Sequence, residues 1–241
     1  MGQHSWYRFF SERRWAEAFL DGEIRFRSLA YFRDYEDGTS RQVIGDHYEG
    51  SRTWMPEGGV IMRGRTTGQV GKFTEPWAFN ALVNAEDIFV YCVSNSYNDL
   101  LVREFNAVAC IEIFNKSAFF GRLRPALPPN AKLVSGPVEY YQYQQSEKLQ
   151  LNTLMASSPD KIVRSKLVHF SYQDEYRFAF STTNALDAGS ARFCLREFKP
   201  APNPSEHHDE TLHLGSLRDI CRLHQCGRSQ TDKSNILDGP Q

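Results

Sequence analysis

Near the N-terminus the spacing of apolar residues changes period from one segment to the next, and each change marks an element. "SWYRFF" is a short aromatic run bounded by polar residues, which predicts a first strand. "SERRWAEAFLDG" sets Trp15, Ala18 and Phe19 at helical intervals, with Ser11 as N-cap and Gly22 as the stop. "EIRFRSL" then alternates Ile24, Phe26 and Ser28 against Arg25, Arg27 and Leu29, a second strand. Ser28 is placed to cap the aromatic helix "LAYFRDYE". From Asp37 to about Pro76 no period persists, so the stretch reads as a long lid or binding loop in which "GVIMRGR" pairs as edge strands.

Regular patterning returns with "DIFVYCVSN", a continuous apolar run suited to a central strand, then a short helix in "SYNDLLVREF" and a second buried strand in "AVACIEIF". A helix begins near Asn115, "AKLVSGPVEYYQYQ" reads as one or two strands broken at "SGP", and "SEKLQLNTLMA" reads as a helix. "KLVHFSYQDEYRFAFS" and "SARFCLREF" close the sheet. In the first of these, Tyr176, Phe178 and Phe180 share one face, while Gln173, Glu175, Arg177 and Ala179 share the other, Gln173 and Glu175 about 7 Å apart. Strands and helices mix without regular alternation, which predicts an α+β fold on a mostly antiparallel mixed sheet with short flanking helices. We expect one domain over residues 1–199, a C-terminal extension with a short helix over 200–226 after the linker "PAPNPSEHHDE", and a disordered tail over 227–241.

Composition narrows the functional classes. The 241 residues carry 28 Lys and Arg against 29 Asp and Glu, so no net field attracts nucleic acid or an anionic membrane. The 17 Phe and 11 Tyr exceed what loops need and imply sheets faced with rings. Five cysteines, odd in number and mostly inside apolar runs, point to reduced thiols. No run of eighteen apolar residues occurs, and a soluble cytoplasmic protein with no membrane partner is expected.

The candidate chemistry rests on Arg8 in the first strand, Ser28 closing the second, and the pair Gln173 and Glu175 late in the chain. This order resembles the Arg-Ser-Glu class of mono-ADP-ribosyltransferases, whose later strand carries Gln-x-Glu or Glu-x-Glu. Here the second strand ends in "RSL", where that class usually has Ser-Thr-Ser. The resemblance implies NAD as the substrate cofactor and a macromolecular acceptor, protein or nucleic acid. It implies that Arg8 holds the phosphate side of NAD, Ser28 buttresses Glu175, Glu175 bonds the ribose as the bond to nicotinamide breaks, and Gln173 positions the acceptor. Tyr7 or Tyr31 would stack on nicotinamide, with Arg33 and Ser94 completing the cofactor-binding set. The chemistry suits these residue types, because a fixed carboxylate stabilises positive charge developing on the ribose. Each also has an ordinary structural explanation: Arg beside aromatics, Ser at a helix start, Glu at a strand edge.

A second resemblance spans residues 6 to 216. The order "YRFF", "GEIRFRSLAYFRDYED", "GDHYEG", "FVYCVSN", "VEYY", "YQDEYRFAF" and "LHLGS" is similar to a widespread group of uncharacterised prokaryotic proteins. That group has been suspected of relating to ADP-ribosyltransferases, and the resemblance implies a toxin or phage-defence setting.

Two other readings remain open. Asp34, Glu36, Asp37, Asp46, His47 and Glu49 are dense enough to hold a divalent cation for a metal-dependent nuclease, or to be solvated loop acids paired with Arg33, Arg41 and Arg52. "VEYYQYQQ" and "RFCLREF" suit a non-enzymatic module that stacks single-stranded bases or docks a protein. His207, His208, His213, Cys221, His224 and Cys226 mix zinc-ligand types, but "CRLHQC" lacks two paired ligand arms, so no metal site is assigned.

Overall fold

Two strands that should be neighbours, β1 (Trp6–Phe10) and β2 (Glu23–Ser28), are joined by helix α1 (Arg13–Leu20) and diverge from one another. Both pair antiparallel with β7 (Phe89–Ser94), but at opposite ends of it: Tyr7 lies opposite Ser94, whereas Arg27 and Ser28 lie opposite Val90 and Phe89. Being both antiparallel to β7, β1 and β2 run parallel, which is why a helical crossover links them. The sheet is therefore forked. In this computed structural model the residues described are 5–34, 48–56, 59–64, 66–73, 77–142, 144–145, 157–197 and 208–226.

On its other edge β7 pairs with β13 (Glu175–Ser181), and β13 with β9 (Lys132–Pro137). Beyond β1 come β8 (Ala109–Ile113) and β16 (Cys221–Gln225), and beyond β2 comes β15 (Asp209–His213), all antiparallel. A second sheet stacks β14 (Arg192–Glu197), β6 (Trp77–Leu82), β3 (Ser51–Pro56) and β11 (Gln144–Gln145) in that order. β4 (Val60–Arg63) and β5 (Val70–Phe73) form a hairpin, and β10 (Glu139–Tyr141) pairs parallel with β12 (Ser165–Leu167). The fold is mixed α+β with mostly antiparallel sheets and few helices.

Alternation on the strands decides what each face meets. Phe178 and Phe180 are fully buried beside Tyr91, Ile111, Ile113 and Phe26, under α1 and α4 (Lys116–Ala126), through Phe19, Phe119 and Leu123. Ala179 and Val90 point the other way, into a core with Phe79 and Ala81 of the second sheet and with Ile162 and Val163 of α5 (Pro159–Val163). Asn115 caps α4 by accepting from Ala118 N at 3.0 Å, and Asn98 caps α3 (Asp99–Glu104) in the same way.

Several expectations are corrected. The segment after 199 is no separate extension: its described part, 208–226, holds no helix and supplies both outer strands on one side of the main sheet, β15 and β16. Ser11 does not cap α1, whose N-cap is Glu12 without a side-chain hydrogen bond, and Trp15 stays 45 % exposed while Ala16, Phe19 and Leu20 are buried. β14 closes the second sheet instead of the first. β3, inside the stretch read as a loop, is a fully buried strand of that second sheet. The expected helix in "SEKLQLNTLMA" lies outside the described residues, as do the linker up to residue 207 and the tail 227–241.

Candidate active site

Gln173 and Glu175 do not lie on one strand. Residues Val168–Gln173 form a 3-10 helix, and Asp174 adopts a left-handed backbone (φ 44°), so the chain turns and Glu175 becomes the first residue of β13. That turn breaks the two-residue alternation on which a shared strand face depends. A third residue brings the two side chains together. Lys166 Nζ, on β12, donates to Gln173 Oε1 at 2.7 Å and to Glu175 Oε1 at 2.6 Å.

The other Glu175 oxygen accepts from Arg177 Nε at 2.9 Å. Arg177 is almost wholly buried, donates through both Nη atoms to Glu49 at 2.8 and 2.5 Å, and donates to the Val163 carbonyl at 2.8 Å. Glu49 is oriented in turn by Arg33, whose Nε donates to its carbonyl oxygen at 2.5 Å. Two carboxylates and two cations thus close on one another with every partner within 10 % side-chain exposure. Burial pushes the Glu175 carboxyl up, but Lys166 and Arg177 pull it down by more, to about 2, so it is ionised at neutral pH.

This cluster lines one wall of a cavity of about 470 Å³, within the range of small-molecule sites. Tyr7, Arg8, Tyr31 and Ser94 line it together with Gln173 and Glu175. Tyr7, Ser94 and Glu175 fall in one cross-strand row, since Ser94 pairs with both of the others. Ser94 Oγ donates to the Ser96 carbonyl at 2.8 Å. Arg27 covers the Tyr31 ring at 4.0 Å. Burial pushes the Cys92 thiol, in the same wall, up to about 12, which keeps it protonated.

Ser28 is not part of this group. It pairs with Phe89, five residues along β7 from Ser94, and lies on the opposite edge of β7 from Glu175, which puts the two roughly 19 Å apart. Its Oγ accepts from Tyr31 N at 3.3 Å as the cap of α2 (Leu29–Asp34). The expected buttress of Glu175 is Lys166 and Arg177 instead. Arg33 does not line the cavity and acts on it through Glu49.

Of the acidic stretch, Glu36, Asp37, Asp46 and His47 lie outside the described residues and only the backbone of Asp34 is described, leaving Glu49 as the acid that reaches the site. Among the described residues no group of three or more His, Cys, Asp or Glu side chains is placed to hold a metal ion. His224 instead contacts Glu112 at 3.0 Å. No described helix is long and apolar enough to cross a membrane.

Lys166 was invisible to pattern reading: a lysine in "SKLVHF" carries no signal that it is 4 % exposed. Arg177 was legible by alternation as a neighbour of Glu175, though not as its partner. No known family, curated protein or solved structure matches this chain. The geometry of the cavity therefore carries the functional argument.

Proposed function

We propose that the chain is an NAD-consuming mono-ADP-ribosyltransferase that modifies a macromolecular acceptor, with Glu175 as the catalytic carboxylate. One observation carries the reading: an ionised, buried carboxylate in the wall of a cavity that also holds an arginine and several aromatic rings. As the bond from ribose to nicotinamide breaks, its electron pair leaves with nicotinamide and positive charge grows on the sugar. A carboxylate already ionised and held by Lys166 and Arg177 meets that charge without reorganising. An acceptor lone pair then forms the new bond and its proton is released. Arg8 would face the phosphates, Tyr7 or Tyr31 the nicotinamide ring, and Gln173 the acceptor. A toxin or phage-defence role fits this chemistry, because depleting NAD or modifying an essential macromolecule arrests a cell.

Incubation of the purified protein with NAD labelled in its adenylate half, in a cell lysate, tests the reading. The expected result is label on macromolecules, with Glu175→Gln reducing transfer roughly a hundred- to thousandfold while NAD still binds. Wild-type turnover by Glu175→Gln would remove Glu175 from the chemistry. A metal-dependent nuclease is the second reading, and the engagement of both Glu49 and Glu175 by Arg177 counts against it. It predicts nucleic-acid cleavage that a chelator abolishes, whereas NAD consumption is expected to be indifferent to chelation.

A further inference from the structure

Consecutive residues of a strand point to opposite faces, yet Tyr7, Arg8, Phe9 and Phe10 of β1, and Val90 through Ser94 of β7, all line the one cavity. Trp15, Ala18 and Phe19 of α1 line it as well, although α1 packs on the face opposite Glu175 and Arg177. A cavity touched from both faces passes through the sheet, and the fork between β1 and β2 is where it passes. There the inner edge of β7 has no strand partner among the described residues, and Arg8 Nη1 takes the place of one by donating to the Cys92 carbonyl at 2.8 Å.

On the α1 side of this passage two polar atoms are buried without a hydrogen-bond partner among the described residues: Arg8 Nε and the Tyr91 hydroxyl. Tyr91 is only 5 % exposed and Arg8 lies 4.9 Å over its ring. A buried polar atom with no partner is costly, so two of them in one compartment mark where a ligand's polar atoms belong. Arg8 Nε can only donate and the Tyr91 hydroxyl can donate, which suits an oxyanion, while Phe10, Trp15 and Phe19 offer apolar walls to a flat ring.

We infer that the α1 side of the fork is a second binding compartment, built to take the nucleoside-monophosphate half of a dinucleotide. Its ring lies between α1 and β7, its phosphate sits at Arg8 and Tyr91, and the other half extends through the sheet to Glu175. The assignment of that other half to nicotinamide ribose rests on the proposed reaction; the compartment itself does not.

Adenosine monophosphate alone is the probe, titrated by calorimetry into the full-length protein. Wild type is expected to bind it, Tyr91→Phe to bind it roughly five- to tenfold more weakly, and Ala18→Trp, which fills the compartment from the exposed helix, to lose binding. Tyr91→Phe removes one atom and Ala18→Trp alters a half-buried helix position, and thermal unfolding of each shows that it folds. Absence of binding by wild type, or equal binding by Ala18→Trp, overturns the compartment. Binding that both variants weaken, in a protein that never consumes NAD, leaves the compartment standing and removes the proposed reaction.

Discussion

Lys166 Nζ and Glu175 Oε1 meet at 2.6 Å with both side chains almost wholly out of solvent. Breaking such a pair leaves a buried charge without compensation, so Lys166→Met is expected to lower the unfolding free energy by about 3 to 5 kcal/mol. Glu175→Gln combined with it should cost less than the two single changes added together, because the double variant has no orphaned carboxylate at that position. Urea unfolding of the four proteins measures this. Strict additivity would mean that the two groups are not coupled.

The same pair sets an acid limb of stability. Glu175 titrates at about 2 in the folded protein against an ordinary 4.5. A lowered carboxyl contributes stability that is complete above the unfolded value and is lost as pH falls from about 4.5 through about 2. Glu112, Glu139 and Asp219 are lowered too, so the measured quantity is the difference between proteins. Glu175→Gln should show a shallower decline across that window than wild type.

Ser28 separates a cap from a catalytic role. Ser28→Ala removes the acceptor for Tyr31 N and is expected to lower stability by about 1 kcal/mol. Consumption of NAD should be unchanged, since the hydroxyl is engaged at the far end of β7 from Glu175. A large drop in turnover with stability retained would return Ser28 to the site.

The end of α1 is held against the C-terminal segment. Gly22 has φ 97°, and a Cβ there would collide with the Gly215 carbonyl, while Leu214 N and Leu217 N donate to the carbonyls of Gly22 and Leu20. Gly22→Ala is expected to destabilise by about 3 kcal/mol or more. Deleting the chain from residue 208 onward strips β15 and β16 from the sheet and removes Leu212, Leu214, Leu217 and Ile220 from the main core, so the truncated protein should lose its cooperative thermal transition. Calorimetric scans of both variants decide it.

What the amino-acid sequence determined by itself is local. Alternation on β13 correctly sends Tyr176, Phe178 and Phe180 to the aromatic core and Glu175, Arg177 and Ala179 to the opposite face, because a period of two depends only on adjacent residues. The Asn115 start of α4, the Ser28 cap and the central run of β7 are legible for the same reason. Tertiary structure alone decided that Lys166 meets Glu175, that Glu49 meets Arg177, that Ser28 stays away from both, that β15 and β16 border the main sheet, and that β1 and β2 part to open a passage. These depend on strand register and on where one left-handed residue, Asp174, redirects the chain. Register is settled by burial summed over segments far apart in the chain, and no local window of residues contains that sum.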